Sequence, residues 1–276
     1  MSLKTITNIC EDAVFAIKRL VLGPYRVRRV QLYGVGMAKS GTHSIAKMFS
    51  HRVRARHEPQ APQLIGKVID WWGGRISEAE MNAWLRARDR ELALEVDVSG
   101  VNLQIVDLLQ REFPAARFVL SIRDCYTWTN SRMNDDLYPP TSEGWSRWAK
   151  FVYGPGPFVR APEELALKKG GILPLDTYLS SWAARNSRVL ASVPPERLFV
   201  VRTDQIRQRA YEIAGFAGLP RRVIRLHRTH EFHNPRKVPL LREIDRDFLE
   251  RKIGQHCRPL MTQFFPEIKS LDDAKL

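Results

Sequence analysis

The sequence predicts an α/β fold, because buried strands alternate with helices along most of the chain. Short apolar segments at 30–35, 92–97, 116–124 and 197–202 have the length and composition of buried strands. Each is followed by a segment with the apolar spacing of a helix, an order typical of parallel sheets. A glycine-containing turn after the first strand is the second observation. It suggests a ligand site, since open α/β sheets bind ligands at the carboxyl ends of their strands.

The turn and the helix after it, residues 34 to 49, have the layout of an anion-binding loop. Glycines at 34, 36 and 41 permit positive φ or close backbone approach. Backbone N–H groups at a helix N-terminus lack partners and carry partial positive charge. A structural turn without a ligand does not need a lysine and several hydroxyl groups, so we expect a phosphate here. The side chains that could donate to it are Lys39, Ser40, Thr42 and Ser44.

The glycine positions of this loop do not match the P-loop of nucleoside-triphosphate-binding proteins. That pattern has a glycine directly before the lysine and another five residues earlier. Ala38 and Tyr33 occupy those positions. The segment Lys39-Ser40-Gly41-Thr42 instead resembles the 5′-phosphosulfate loop of sulfotransferases that use 3′-phosphoadenosine 5′-phosphosulfate (PAPS). The resemblance implies a P-loop-NTPase-like three-layer sandwich, with a central, mostly parallel sheet of about five strands flanked by helices. It also implies that residues 39–44, including Gly41 and His43, contact the donor.

We expect residues 1–276 to form a single domain, because no linker divides the chain. A chain of 276 residues with 44% hydrophobic content can bury a large core. The segment richest in proline and glycine, 138–175, also contains helical patterns and aromatic residues. We interpret the region around 134–175 as an insertion on the acceptor side of the site.

The formal net charge of +14 indicates an anionic partner. The arginines are scattered and form neither a basic tail nor an aromatic-basic repeat, so we expect no nucleic acid. Three distant cysteines, Cys10, Cys125 and Cys257, favour a cytoplasmic protein without a disulfide framework. No apolar run approaches the roughly 20 residues of a membrane span.

The second strand is predicted at 52–57, where apolar and basic residues alternate. Pro59 limits its continuation, which places His57 and Glu58 at its carboxyl end. Helices are predicted over 61–72 and 77–90, the latter beginning with a capping-box pattern at Ser77.

Asp97 ends the third strand, and a helix is predicted from about 101 to 111. Two interpretations of Asp97 stay open at this point: it is a second carboxylate of the site, or it caps the next helix.

The fourth strand ends at Arg123 and Asp124, and the following helix carries Ser131. An arginine at a strand end with a serine eight residues on resembles the 3′-phosphate site of the same sulfotransferases. The resemblance implies that Arg123 grips the phosphate and that Ser131 donates to it. The usual proline after the Arg-Asp pair is replaced by Cys125.

The remainder of the chain predicts a helix over 176–192, a last strand over 197–202 and an exposed closing helix over 241–258. Arg202 is a weaker candidate for donor contact. His227, His230 and His233 recur every third residue, but they do not have the ligand set of a compact zinc site. Arg236 and Lys237 resemble the basic segment that closes over the 3′-phosphate in the family.

The resemblance implies transfer of the sulfuryl group from PAPS to an acceptor hydroxyl, with adenosine 3′,5′-bisphosphate (PAP) as product and no metal. Lys39 would stabilise the leaving phosphate, and Glu58 or His57 would take the acceptor proton. Glu58 is our preferred base. The identity of the acceptor, whether small molecule, glycan or lipid, is open, and so is a homodimer.

Two other functions compete with this interpretation. A small-molecule kinase would use Leu94-Glu95-Val96-Asp97 as its magnesium-binding strand and would require ATP. A non-enzymatic basic protein would bind a polyanion in a steeply salt-dependent way.

Overall fold

The core of the molecule is a five-stranded sheet in which every strand pair is parallel, as seen in a computed structural model of the chain. The structure describes residues 28–49, 52–138, 142–170, 172–229 and 238–276. The strands are β1 (Leu32–Gly34), β2 (Ala55–His57), β3 (Val96–Val98), β4 (Arg117–Ile122) and β5 (Leu198–Arg202).

The strand order is β2-β3-β1-β4-β5, so β1 lies in the middle. Tyr33 of β1 is opposite Asp97 of β3 on one side and Phe118 of β4 on the other. The chain leaves β1 toward β2 on one side and later toward β4 on the other. The order therefore reverses at β1, and a crevice at the carboxyl ends of the strands is expected there.

Ten α-helices lie in the part of the chain that the structure describes. They are α1 (Thr42–Lys47), α2 (Ala61–Trp72), α3 (Glu78–Leu92), α4 (Val106–Glu112), α5 (Cys125–Asp136), α6 (Glu143–Tyr153), α7 (Leu175–Ser192), α8 (Ala210–Phe216), α9 (Arg246–His256) and α10 (Arg258–Phe264).

The start of α3 shows how closely local sequence determines a boundary. The Ser77 hydroxyl accepts from the Glu80 backbone N–H at 3.2 Å, and the Glu80 carboxylate accepts from the Ser77 N–H at 2.8 Å. This is the predicted capping box. The predicted helix at 61–72 is likewise confirmed as α2.

Two predicted helices differ from the structure. The helix expected at 101–111 begins as a 3-10 turn, Asn102–Ile105, before α4. The closing helix at 241–258 is not a single exposed helix. Asp245 caps α9, whose Phe248, Leu249 and Ile253 are buried.

The sheet separates two hydrophobic cores, which gives the predicted three layers. Side chains alternate along each strand, so that Leu32 faces one core and Tyr33 the other. The larger core contains the buried faces of α2 to α7, α9 and α10, and the smaller contains those of α1 and α8. None of the described helices is both long and apolar enough to cross a bilayer.

Candidate active site

The loop after β1 is shaped by glycines at two close contacts. A Cβ at Gly36 would lie 2.1 Å from the Ser121 hydroxyl oxygen of β4, so only glycine lets the loop pass so near the sheet. Gly41 has φ 91° and caps α1, and a Cβ there would lie 2.5 Å from Ile206 Cδ1.

Hydrogen bonds from neighbouring elements hold the loop in place. The Ser40 hydroxyl is buried, donates to the Met37 carbonyl at 2.7 Å and is 3.0 Å from the Ser121 hydroxyl. The Ser40 N–H also donates to Met37, at 3.1 Å. Trp128 Nε1 donates to the Ala38 carbonyl at 2.9 Å. The hydroxyl and the backbone N–H of Ser40 therefore both donate within the loop itself.

Lys39 is a partly buried residue of this loop with φ 70°, and its ammonium group is directed to α5. Its Nζ lies 3.1 Å from Asp135 Oδ1. Arg132 NH1 lies 3.1 Å from the other oxygen of the same carboxylate. Asp135 therefore sets the position of the Lys39 head group.

His57 lies at the end of β2 beside the first turn of α1. Its Nε2 is 3.1 Å from the Thr42 hydroxyl, and its ring centroid is 4.8 Å from that of His43. Burial, with smaller electrostatic contributions from His43 and Lys47, lowers the pKa of His57 to about 3. His57 is thus a neutral imidazole at physiological pH. Ser44, one residue beyond His43, is buried in the same turn.

Glu58 follows β2 directly and has φ 51°, a left-handed conformation unusual for glutamate. Its N–H continues the sheet by donating to the Val98 carbonyl at 2.8 Å. Burial raises the pKa of the Glu58 carboxyl to about 7, and the negative charge of Asp135 adds to this effect. The carboxyl can therefore gain and lose a proton near neutral pH.

Arg123 leaves the end of β4 and turns toward the loop. Its Nε donates to the Thr127 hydroxyl at 2.8 Å, and its NH1 lies 3.4 Å from the Lys39 carbonyl. Burial lowers the pKa of the guanidinium. Asp124 instead caps α5, accepting from the Thr127 N–H at 2.8 Å. Ser131 is buried two turns into that helix.

Neither interpretation of Asp97 is correct. Its carboxylate accepts from Arg88 NH1 at 2.7 Å and from Asn102 Nδ2 at 3.1 Å, in a buried pair that ties β3 to α3. Glu95 is also engaged, with Arg29 Nε at 2.6 Å. The strand proposed to bind magnesium in a kinase therefore has both carboxylates paired with arginines.

Arg202 and Lys237 are two further residues that the sequence predicted near the donor. Arg202 is already paired, since its NH2 lies 2.9 Å from Asp204 and 2.5 Å from Glu267. A donor contact by Arg202 stays a prediction. Lys237, with Arg236, His230 and His233, lies outside the described residues.

Comparison with known proteins identifies the architecture. No family model and no curated protein sequence matches the chain. A solved sulfotransferase from Alicyclobacillus acidocaldarius superposes with a TM-score of 0.50, over 86% of this chain and 96% of that one, at 18% identity. The chain has the sulfotransferase fold. A second solved sulfotransferase, from Mycobacterium avium, covers 94% of this chain and 85% of its own at 13% identity, with a TM-score of 0.47.

Within the sulfotransferase fold, the residues predicted from the loop and the strand ends come together around β1. Asp135 pairs with Lys39 and raises the pKa of Glu58, and Arg123 reaches the Lys39 carbonyl. The sequence interpretation missed Asp135 altogether. A signal was present, because Arg132 and Asp135 are spaced as an i,i+3 ion pair on the helix that follows Arg123.

Proposed function

We propose that the chain is a sulfotransferase that moves a sulfuryl group from PAPS to a hydroxyl of an acceptor. The acceptor oxygen forms a bond to sulfur while the bond from sulfur to the bridging phosphate oxygen breaks. PAP leaves, and the acceptor proton passes to a base on the protein.

The observation that carries the proposal is that one carboxylate, Asp135, pairs with Lys39 and also acts electrostatically on Glu58. Asp135 lies 3.1 Å from Lys39 Nζ, and its charge raises the pKa of Glu58. The cation that would neutralise a leaving phosphate and the carboxylate that would take a proton are therefore close to one point. In-line transfer needs those two groups on either side of the sulfur atom.

Arg123 supplies a second positive charge for the donor. No carboxylate of the described residues lies within ion-pair distance of its guanidinium, which nevertheless is largely buried. A buried cation is stabilised by an anion, and the 3′-phosphate of PAP would provide one. The close approach of Arg123 to the Lys39 carbonyl supports one ligand that spans both groups.

Glu58 fits the role of base better than His57 in this geometry. A carboxyl with a pKa of about 7 is ionised in a large fraction of molecules at neutral pH and still accepts a proton readily. His57 is neutral there and would act by orienting neighbouring groups through Thr42. No step in this scheme calls for a metal, since lysine and arginine meet the phosphates.

The first prediction tests the donor. PAP should raise the melting temperature of the protein, while ATP with magnesium and a short oligonucleotide should not, because only a ligand of the native state stabilises it. Calorimetry should show that Lys39→Ala and Arg123→Ala each weaken PAP binding by roughly tenfold or more.

Arg111→Ala is the matched control for this prediction, since Arg111 forms an exposed pair with Glu78 away from the site. It should bind PAP as the wild type does. Wild-type PAP affinity in both site variants would refute the donor assignment. A rise in melting temperature with ATP and magnesium but not with PAP would favour the kinase instead.

A further inference from the structure

A cavity of about 250 Å³ lies between α2, α6, α7 and the turn after β3. A cavity of roughly 150 Å³ holds benzene, so this one accommodates a single substituted ring. Its wall combines polar and apolar groups, and the aromatic side chains contact each other: the ring centroids of Trp72 and Phe151 are 6.3 Å apart. The lining residues are Trp72, Gln104, Phe151, Val152 and Arg185.

Arg185 gives this cavity a positive charge. In the amide orientation that satisfies both groups, the Gln104 oxygen accepts from Arg185 Nε at 3.2 Å and from NH2 at 3.0 Å. The Arg185 guanidinium carbon lies 5.7 Å from the centroid of the Tyr153 ring. No carboxylate among the described residues pairs with Arg185. Burial lowers the pKa of Arg185 to about 10, so it is still protonated at neutral pH.

The helix that carries Arg185 also forms the back of the proposed active site. One residue further along α7, Asn186 Nδ2 lies 3.7 Å from Met37 Sδ of the phosphate loop. One turn earlier, Trp182 Nε1 donates to the Arg123 carbonyl at 3.0 Å. Helix α7 therefore lines the cavity through Arg185 and also contacts the phosphate loop through Asn186.

We propose that this cavity binds the acceptor and selects a hydroxylated aromatic carboxylate. The ring would pack against Trp72 and Phe151, the carboxylate would pair with Arg185 and Gln104, and the hydroxyl would point toward Glu58. The inference that the bound compound is the acceptor rests on the proposed function, whereas recognition of an anionic aromatic compound rests on the cavity alone. A partly buried guanidinium favours a planar carboxylate, which it can contact with two N–H groups.

The test uses 4-hydroxyphenylacetate and its neutral amide, 4-hydroxyphenylacetamide, which differ in charge but hardly in shape. Calorimetry with the full-length protein, with and without PAP, should show that the carboxylate binds at least tenfold more tightly than the amide. Arg185→Met should remove that preference and leave amide binding within roughly threefold, because methionine preserves the apolar part of the wall. Arg111→Met, which removes an exposed arginine elsewhere, should keep the wild-type preference.

Each outcome has a defined meaning. Equal binding of the two probes by the wild type, or a preference that survives Arg185→Met, overturns the inference. A parallel loss of PAP affinity in Arg185→Met also overturns it, since Arg185 would then belong to the donor site. If PAP fails to bind the wild type, the proposed function fails, and the titrations without PAP still decide whether the cavity selects a carboxylate.

Discussion

Glu58 has two structural features that are both unfavourable for an ordinary surface carboxylate. It has a left-handed backbone conformation, and it is buried next to another negative charge, that of Asp135. Strain and a shifted pKa often occur together at functional sites, because the surrounding structure maintains both. Here both belong to one residue, which directly follows the end of β2.

Glu58→Gln should lower turnover by roughly two to four orders of magnitude with PAP affinity little changed, because glutamine cannot take the acceptor proton. In the wild type, turnover should rise with pH through about 7, where Glu58 loses its proton. The residual rate of the variant should lack that inflection. Steady-state kinetics between pH 5 and 9 measures both, and near-normal turnover in the variant would remove Glu58 from the mechanism.

Asp135→Asn should move the inflection of the pH–rate profile below that of the wild type. Removing the negative charge takes away one cause of the raised pKa of Glu58, although burial, the larger cause, stays. Asp136→Asn is the matched control, because Asp136 pairs with Arg132 and accepts from the Tyr178 hydroxyl at 2.8 Å instead. An unchanged inflection in Asp135→Asn would show that Asp135 does not act on Glu58.

At the scale of elements, α5 organises the site. Its cap, Asp124, fixes the Thr127 side chain that holds Arg123. One turn along, Trp128 holds the phosphate loop, and near the end of the helix Asp135 holds Lys39. A single helix thus positions both cations of the proposed donor site, so a displacement of α5 would alter both together.

The contact between the phosphate loop and β4 gives an element-level prediction. Gly36→Ala should destabilise the protein and weaken PAP binding, since its Cβ would displace the Ser121 side chain and the loop with it. Gly66→Ala is the control. Its Cβ meets nothing within 4 Å in the middle of α2, so the substitution should stabilise the protein by about 0.5–1 kcal/mol. Chemical denaturation and calorimetry check both, and equal PAP affinity in the two variants would contradict the close-approach argument.

The elements themselves were largely predictable, because each depends on a local pattern. The capping box at Ser77 and the apolar spacing of 61–72 determined helix boundaries correctly. The strands are shorter than the apolar runs that predicted them, since ladder pairing stops where neighbouring strands stop. The run at 92–97 yields only Val96–Val98, because Leu92 still belongs to α3 and Ala93, which caps that helix, is left-handed.

At the scale of the whole molecule, the positions of Lys39, Glu58 and Arg123 could be predicted because strand ends meet at one edge of a parallel sheet. The partners of those residues could not. Asp135 and Arg185 lie on helices, and the direction in which each side chain points depends on how the helix packs on the sheet. The same limitation explains Asp97, which lies within β3 rather than at its end and pairs with Arg88 of a helix.

The balance of charge also has a pattern at this scale. The chain has a net charge of +14, yet many described arginines outside the site pair with acids, as Arg88 does with Asp97 and Arg202 with Glu267. Arg123 and Arg185 are buried without such a carboxylate among the described residues. The structure thus leaves positive charge uncompensated beside the phosphate loop, where an anionic donor and an anionic acceptor would neutralise it.

The raised pKa of Glu58 should also be measurable as a change in the stability of the whole protein with pH. In the folded state the pKa is about 7, above the ordinary 4.5, so the protonated carboxyl is favoured by folding. The corresponding stability is fully present below about pH 4.5 and is lost as pH rises through 7. Glu58→Gln cannot ionise, so its free energy of unfolding, relative to the wild type, should increase between pH 5 and pH 8.

Urea denaturation at several pH values tests this difference, with Glu143→Gln as the control for loss of an exposed carboxylate. The wild type and Glu143→Gln should give parallel curves, while Glu58→Gln diverges upward toward pH 8. Parallel curves for all three proteins would mean that Glu58 ionises in the folded state as it does in the unfolded chain. The carboxyl would then lack the proton affinity near neutral pH that its role as a base requires, and His57 would become the group to test next.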